Sequence, residues 1–427
     1  MKENIVSVQL WGREIAKLEW RGGYRQKFGK LGAVISFHPD YVSYGWDLDP
    51  IGPYNRSIYL VQKGLSDWCR ATEYEGLPRF LSGSLPDDWG NAVFSAWVDS
   101  RMIRHADITA VDKLAFIGRR GMGALEFYPV LYDGIAPDNA LMLEELYDLS
   151  RQIQQSREGI SVDLSSHPGI GDLMAVGMSV GGVHPKAIVA INWNTGEVKS
   201  GQFLLPEVFT QYILKFRDSD IWPTAEVELV YHRMARKCGI TMEACRLLPI
   251  EGQNHFLTER FDRKEGQKLH TATLRALNGE TVSYEQLFTA CRRMRLPYPD
   301  MEQVFRRAVF NYLAGVCDDH DKNFSFILVP DGTWRLAPAY DVTFTVNLMN
   351  KFIGDRHVLT LSGQNRYVTH DDILRFADFG DIRNASSIIE EIKDAIGSFQ
   401  SLASEIGVDE TVRTLILSHI RSHSPEK

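Results

Sequence analysis

The segment Asn311–Thr343, NYLAGVCDDHDKNFSFILVPDGTWRLAPAYDVT, limits what this chain can fold into more than any other stretch. It opens as an apolar helical turn and runs into the acidic cluster Asp318-Asp319-His320-Asp321. Phe324 to Val329 is a strand-like apolar run, Pro330-Asp331-Gly332 supplies a turn, and a second strand leads to Asp341. A helix, an oxygen-rich loop and a hairpin are joined with little slack. Asp318 and Asn323 fall on the loop, and Asp341 closes the hairpin.

Asp318 and Asn323 lie five apart, the interval that separates the base Asp from the metal-binding Asn in a protein-kinase catalytic loop. There, a second metal-binding Asp follows a hairpin, as Asp341 does here. Phosphoryl transfer needs one carboxylate beside the attacking hydroxyl and hard oxygen ligands for Mg²⁺. Asp318 is the candidate base, Asn323 and Asp341 are the candidate metal ligands, and Lys322 is placed to meet charge on the transferred group. A bare D-x-x-x-x-N is common, so its weight comes from the strands that follow. A rival reading starts from His320-Asp321, the dipeptide core of metal-dependent phosphohydrolases. Such sites need further His and Asp ligands on helices, whereas this dipeptide runs straight into a strand.

With 427 residues, 44% hydrophobic and 24% charged, the chain can build two or three lobes with real cores. A net charge of −8 implies no general affinity for nucleic acid. The five cysteines, Cys69, Cys238, Cys245, Cys291 and Cys317, contain no C-x-x-C pair, which fits a reducing cytoplasm. The opening MKENIVSVQLWG does not read as a secretory signal, and no apolar run is long enough to span a membrane.

The rest of the chain reads as a β-rich start to about Tyr59, then a helix whose cap is Asp87 or Asp88 and whose apolar stripe is Trp89, Val93, Phe94 and Trp97. Three glycines, Gly118, Gly121 and Gly123, suggest a tight crossing between domains, followed by a strand. Residues 156–172 are the best linker candidate, or a loop inside the second domain. A glycine-rich loop from Gly177 to Lys186 suits close approach of backbone N–H groups to phosphates, although a plain hairpin turn is the commoner use. Ser179 on it is phosphorylatable. Lys215 sits on a strand, where kinases keep a phosphate-pairing lysine and other proteins a surface one. Phe256–Arg263 is a strand turning polar, and it can be a nucleotide-contacting hinge near Glu259 and Phe261, an ion-pair network of Glu259, Arg260, Asp262 and Arg263, or both at once. Asp355, Arg356 and His357 follow Asp341 where a kinase carries its activation segment, and residues 371–423 read as helices.

This order of motifs resembles the HipA family of bacterial serine/threonine kinases, the toxin halves of toxin–antitoxin pairs. The resemblance is carried by Leu77–Gly90, Gly118–Pro129, Ser179–Lys186, Phe256–Arg263 and, most specifically, Asp318–Asp341. It implies an α+β, two-lobed protein-kinase-like fold with a β-rich N-terminal subdomain and an all-helical C-terminal lobe. Expected boundaries are 1–130 for the N-terminal subdomain, 131–265 for the small lobe and 266–427 for the large lobe. It implies Asp318 as base with His320 supporting the loop, and Mg²⁺ on Asn323 and Asp341. ATP would lie on Ser179, Val180, Gly181, Gly182, Val183, His184 and Lys186, with Lys215, Glu259 and Phe261 completing the nucleotide site. Ser179 would be the autophosphorylated residue that switches the enzyme off. The implied partners are a translation component such as an aminoacyl-tRNA synthetase as substrate, and a HipB-like helix-turn-helix antitoxin, with DNA reached only through it. His184-Pro185 inside the loop, Asp319 and Cys317 are departures that remove no required ligand.

Overall fold

The computed structural model describes residues 4–21, 32–55, 66–68, 74–131, 140–157, 173, 177, 184–219, 221–346 and 354–422. The chain divides into two compact units. The first comprises Met1–Asp218, Leu248–Ala272 and Leu328–Thr333, and the second comprises Ser219–Leu247, Thr273–Ile327 and Trp334–Lys427.

The first unit begins with β1 (Ile5–Leu10) and β2 (Arg13–Trp20), joined through Trp11 and Gly12 at φ 48° and 74°. Positive φ at both loop residues matches the twist of a tight hairpin. Alternation buries Val6, Val8 and Leu10 completely. With β3 (Ala33–Phe37), β4 (Ser66–Trp68) and β5 (Leu125–Tyr128) they form a sheet of order β4-β3-β2-β1-β5. Helix α1 (Asp88–Ser100) buries the expected stripe of Trp89, Val93, Phe94 and Trp97. Asp87 occupies the cap position but makes no side-chain capping bond, so the start is set by burial of the stripe. The Trp89 indole donates to the Lys186 carbonyl at 2.8 Å, anchoring the strand that follows the glycine-rich loop. Helix α2 (Ala110–Ile117) starts on a Thr109/Asp112 capping box and ends at Gly118.

The glycine segment makes its close approach inside this unit, not between two units. Gly123 has φ 75°, and a Cβ there would lie 2.8 Å from the Thr271 backbone nitrogen. Its own N–H donates to the buried Asp262 carboxylate at 2.6 Å. After α3 (Leu143–Arg157) comes a second sheet of order β7-β6-β8-β10-β9. Its strands are β6 (Lys186–Ile191), β7 (Val198–Ser200), β8 (Thr210–Lys215), β9 (Cys245–Ile250) and β10 (Gln253–Glu259). β6 is buried along its whole length, as a central strand covered on both faces must be.

The second unit is mostly helical: α4 (Thr224–Lys237), α5 (Tyr284–Arg293), α6 (Tyr298–Ala314), α7 (His370–Gly380), α8 (Ala385–Gly397), α9 (Phe399–Ile406) and α10 (Glu410–Ser422). Between α6 and α7 runs the hairpin read from the sequence, β11 (Ser325–Leu328) and β12 (Trp334–Leu336). Tyr284, Phe288, Phe305, Phe310 and Phe376 are completely buried at the centre of this unit. Gly315 ends α6 in the left-handed region at φ 74°, and a Cβ there would meet the His419 ring at 2.9 Å. No helix among the described residues is long and apolar enough to cross a membrane.

Candidate active site

Gly315 turns the chain out of α6 and starts the loop that carries the acidic cluster. The backbone amides of Cys317 and Asp318 both donate to the Thr345 hydroxyl, at 2.8 and 2.9 Å, and Thr345 donates its own amide to the Gly315 carbonyl at 3.2 Å. The segment after the hairpin therefore holds the base of the loop. Asn323 donates its side-chain amide to the Asp318 carbonyl at 2.7 Å. The five-residue interval closes the loop on itself and leaves Oδ1 of Asn323 as its remaining ligand atom. The Asp318 side chain is 61% exposed, with His320 Nε2 3.8 Å away. Lys322 is exposed, and its carbonyl accepts from the Tyr340 hydroxyl at 2.7 Å. Tyr340 also bonds Ser325 at 2.6 Å. The residue before Asp341 is thus tied to the loop that carries Asp318 and Asn323, and Asp341 itself adopts φ 54°.

A divalent cation fits this donor set by its chemistry. Asn323 and Asp341 offer hard oxygens, which suit Mg²⁺ rather than a soft metal. Among the described residues no group of three or more His, Cys, Asp or Glu is arranged to hold a metal alone. A cation here would complete its shell from phosphate and water, as Mg²⁺ in nucleotide sites does.

The other two carboxylates of the cluster do different work. Asp321 is buried, accepts from the Thr281 amide at 3.0 Å and faces Arg275 at 3.3 Å. Those bonds take Asp321 out of metal ligation and leave the phosphohydrolase reading of His320-Asp321 without its second ligand. Asp319 is 1% exposed and collects four donors: the Tyr284 hydroxyl at 2.7 Å, His357 Nδ1 at 2.9 Å, and the amides of Val358 and Leu359 at 2.8 and 3.3 Å. Asn311 donates to Tyr284 at 3.0 Å, and His357 stacks on Tyr312 at 3.7 Å between centroids. Burial pushes the Cys317 thiol up to about 12, so it is an inert neighbour. Sequence reasoning singled out His357 but not its partner. Asp319, Tyr284, Asn311 and Thr345 were missed as a group.

The first unit holds the other expected residues. Ser179, Val180, Gly181, Gly182 and Val183 lie outside the described residues, as does most of the expected linker. Lys186 and Lys215 are register partners across β6 and β8, so both side chains leave the same face. Lys215 Nζ also lies 5.5 Å from the centroid of the Phe256 ring. Glu259 and Phe261 are half-buried at the end of β10. Among the described residues the ion-pair network joins Arg260 and Arg263 to Asp262 and does not include Glu259. Asp262 takes two bonds from Arg260, at 2.8 and 2.7 Å, and one from Arg263 at 2.9 Å, all essentially without solvent. Burial alone would raise the Asp262 carboxyl, but the two guanidinium groups outweigh it and hold it well below the usual range. Arg260 and Arg263 also donate to the Gly201, Gly121 and Gly123 carbonyls. The strand end carrying Phe261 is therefore clamped to the glycine crossing.

His184 pairs through Nδ1 with Asp218. That hydrogen bond raises the His184 pKa against the opposing effects of burial and of Lys186 and Lys215. A raised folded-state pKa means the pair stabilises fully below the unfolded value near 6.5 and is lost as pH rises through the folded one. An NMR titration should place the His184 midpoint above 6.5 and bring it down to 6.5 or below in Asp218→Asn, where only the lowering effects remain. An unmoved midpoint would remove the pair.

A model described as the HipA-like C-terminal domain matches residues 178–401, and one described as the HipA N-terminal domain matches residues 6–128. The chain belongs to the HipA family. A putative kinase of Haemophilus influenzae is 31% identical over 185 residues, covering 39% of this chain and 52% of that protein. The serine/threonine-protein kinase toxin HipA of Shewanella oneidensis is 30% identical over 86 residues, 20% of this chain and 19% of that protein. The chain thus spans about half the length, or less, of the curated relatives it matches. The solved structure of Shewanella oneidensis HipA with HipB and its operator DNA superposes with a TM-score of 0.65 at 17% identity, over 98% of this chain and 95% of that one. The expected α+β, kinase-like HipA fold is the one observed.

Proposed function

We propose that this chain is an ATP- and Mg²⁺-dependent protein serine/threonine kinase of HipA toxin type. The observation that carries the reading is the closed loop in which Asn323 bonds the Asp318 carbonyl and Asp318 stays open to solvent, just ahead of the hairpin that ends at Asp341. Asp318 orients the acceptor hydroxyl and takes its proton, with His320 beside it. Asn323 and Asp341 hold the cation, and Lys322 faces charge developing on the transferred group. Lys186 and Lys215 attract the phosphates of the nucleotide, while Glu259 and Phe261 line its base. Bound Mg²⁺ would neutralise phosphate charge, and the protein's share is positioning and fixed electrostatics.

The three-part organisation with boundaries near residues 130 and 265 belongs to this proposal. So do autophosphorylation of Ser179 as an off-switch, a cytoplasmic location and growth inhibition through a translation component such as an aminoacyl-tRNA synthetase. The HipB named with the Shewanella oneidensis structure supports a HipB-like antitoxin here, with DNA contacted through that partner. A lipid or small-molecule kinase and a catalytically silent repressor subunit are the competing readings. The protein should be incubated with Mg²⁺ and ATP radiolabelled at the γ-phosphate, in parallel with bacterial lysate and with phosphoinositide vesicles. Label should enter protein as phosphoserine or phosphothreonine. Label confined to lipid or small molecules would reject the protein-kinase assignment, and no transfer at all would favour the silent subunit.

A further inference from the structure

The second unit contains a cavity of about 310 Å³ beside the start of α6, lined among others by Thr241, Tyr298, Asp300, Glu302, Arg307 and Arg335. Its size is at the low end of the roughly 300–1,000 Å³ usual for small-ligand sites. Arg307 is the unusual wall. It is only 4% exposed, yet one bond accounts for its contacts: Nη2 donates to the Ala337 carbonyl at 2.7 Å. Its Nε has no partner, and no carboxylate among the described residues lies within ion-pair distance. Burial pushes the Arg307 pKa down to about 10, against the pull of Tyr340 and Asp300.

The acidic groups nearby are already engaged. Asp300 accepts both bonds of Arg335, at 2.8 and 2.9 Å, and the Leu336 amide at 3.0 Å. Glu302 faces Arg306 at 2.8 Å. Gln303 accepts from the Thr241 amide and donates to the Gly239 carbonyl. A guanidinium taken out of water without a counter-ion is expensive, and such groups are normally paired or hydrogen-bonded throughout. This one borders a space large enough for its missing partner, at the positive end of a 17-residue helix.

We infer that this cavity binds a small molecule through a carboxylate held by Arg307. A single negative charge suits the site better than a doubly charged phosphate, because Asp300 and Glu302 share the wall and repel excess charge. Tyr298, Pro299 and Leu336 supply apolar surface for the body of the acid. The assignment does not depend on the kinase reading, since nothing in it uses Asp318 or a nucleotide.

The test uses the full chain without nucleotide, titrated by ligand-observed NMR with acetate, pyruvate and benzoate, and with benzamide and inorganic phosphate as controls. At least one carboxylate should show saturable binding, at least tenfold tighter than either control. Arg307→Met should abolish it. Because a variant at a buried arginine can fail to fold, Thr241→Trp provides a second arm. Thr241 is exposed at the cavity wall, so the indole should block the site and leave the melting temperature unchanged. Absence of saturable binding by all three acids, binding of benzamide or phosphate within tenfold of the tightest acid, or unchanged binding in Thr241→Trp would overturn the proposal.

Discussion

Asp318→Asn should lower phosphoryl transfer by about 10³-fold or more, the upper part of the range for loss of a general base. The substitution keeps the shape of the side chain and removes its charge and its capacity to take a proton. The fold should not notice. The Asp318 side chain is 61% exposed, with His320 Nε2 3.8 Å away. The loop is held by backbone groups: the Asp318 amide on Thr345 and the Asp318 carbonyl under Asn323. Initial rates with saturating Mg-ATP, alongside a melting curve, check both halves. Wild-type rates in the variant would deprive Asp318 of its role. A collapsed melting curve would mean that its charge is structural.

Asp319→Ala, one residue along, should act in the opposite way, by costing stability. Its carboxylate satisfies Tyr284, His357 and two backbone amides in a place without water. Truncation leaves those donors buried and unpaired, at a cost of about 3–5 kcal/mol. The damage should centre on the second unit, where all four partners reside. Urea unfolding of the full chain, followed by the fluorescence of Trp222 and Trp334 in that unit, measures it. Asp319→Asn should fall between, since the amide keeps the volume but offers one acceptor oxygen instead of two. A loss below about 1 kcal/mol in Asp319→Ala would show that water or a rearrangement satisfies the donors.

The contrast between these neighbours shows where sequence reading succeeds. Asp318, Asn323 and the hairpin are read from intervals of a few residues, because a loop closed by its own Asn and a strand pair around Pro330-Asp331-Gly332 are local events. The stripe of α1 is legible for the same reason. The partners of Asp319 lie 35 residues before it at Tyr284 and 38 after it at His357, and no periodicity marks either. The same holds for His184 with Asp218, and for Asp262 with Gly123, 139 residues apart. Asp87 errs in a smaller way: it has the right type and position for a cap, but the buried face of α1 decides where the helix begins. Glu259 was grouped with its charged neighbours by proximity in sequence, whereas the ion pairs among the described residues join only Arg260 and Arg263 to Asp262.

The central claim is that Asn323 and Asp341 hold a cation for a nucleotide beside Asp318. Calorimetric titration of the protein and of Asp341→Ala with ATP, each with and without Mg²⁺, tests it most directly. The account predicts one Mg²⁺-dependent binding event in the wild type that is lost or greatly weakened in Asp341→Ala. No heat from the wild type, or equal binding in the variant or without the cation, would contradict it.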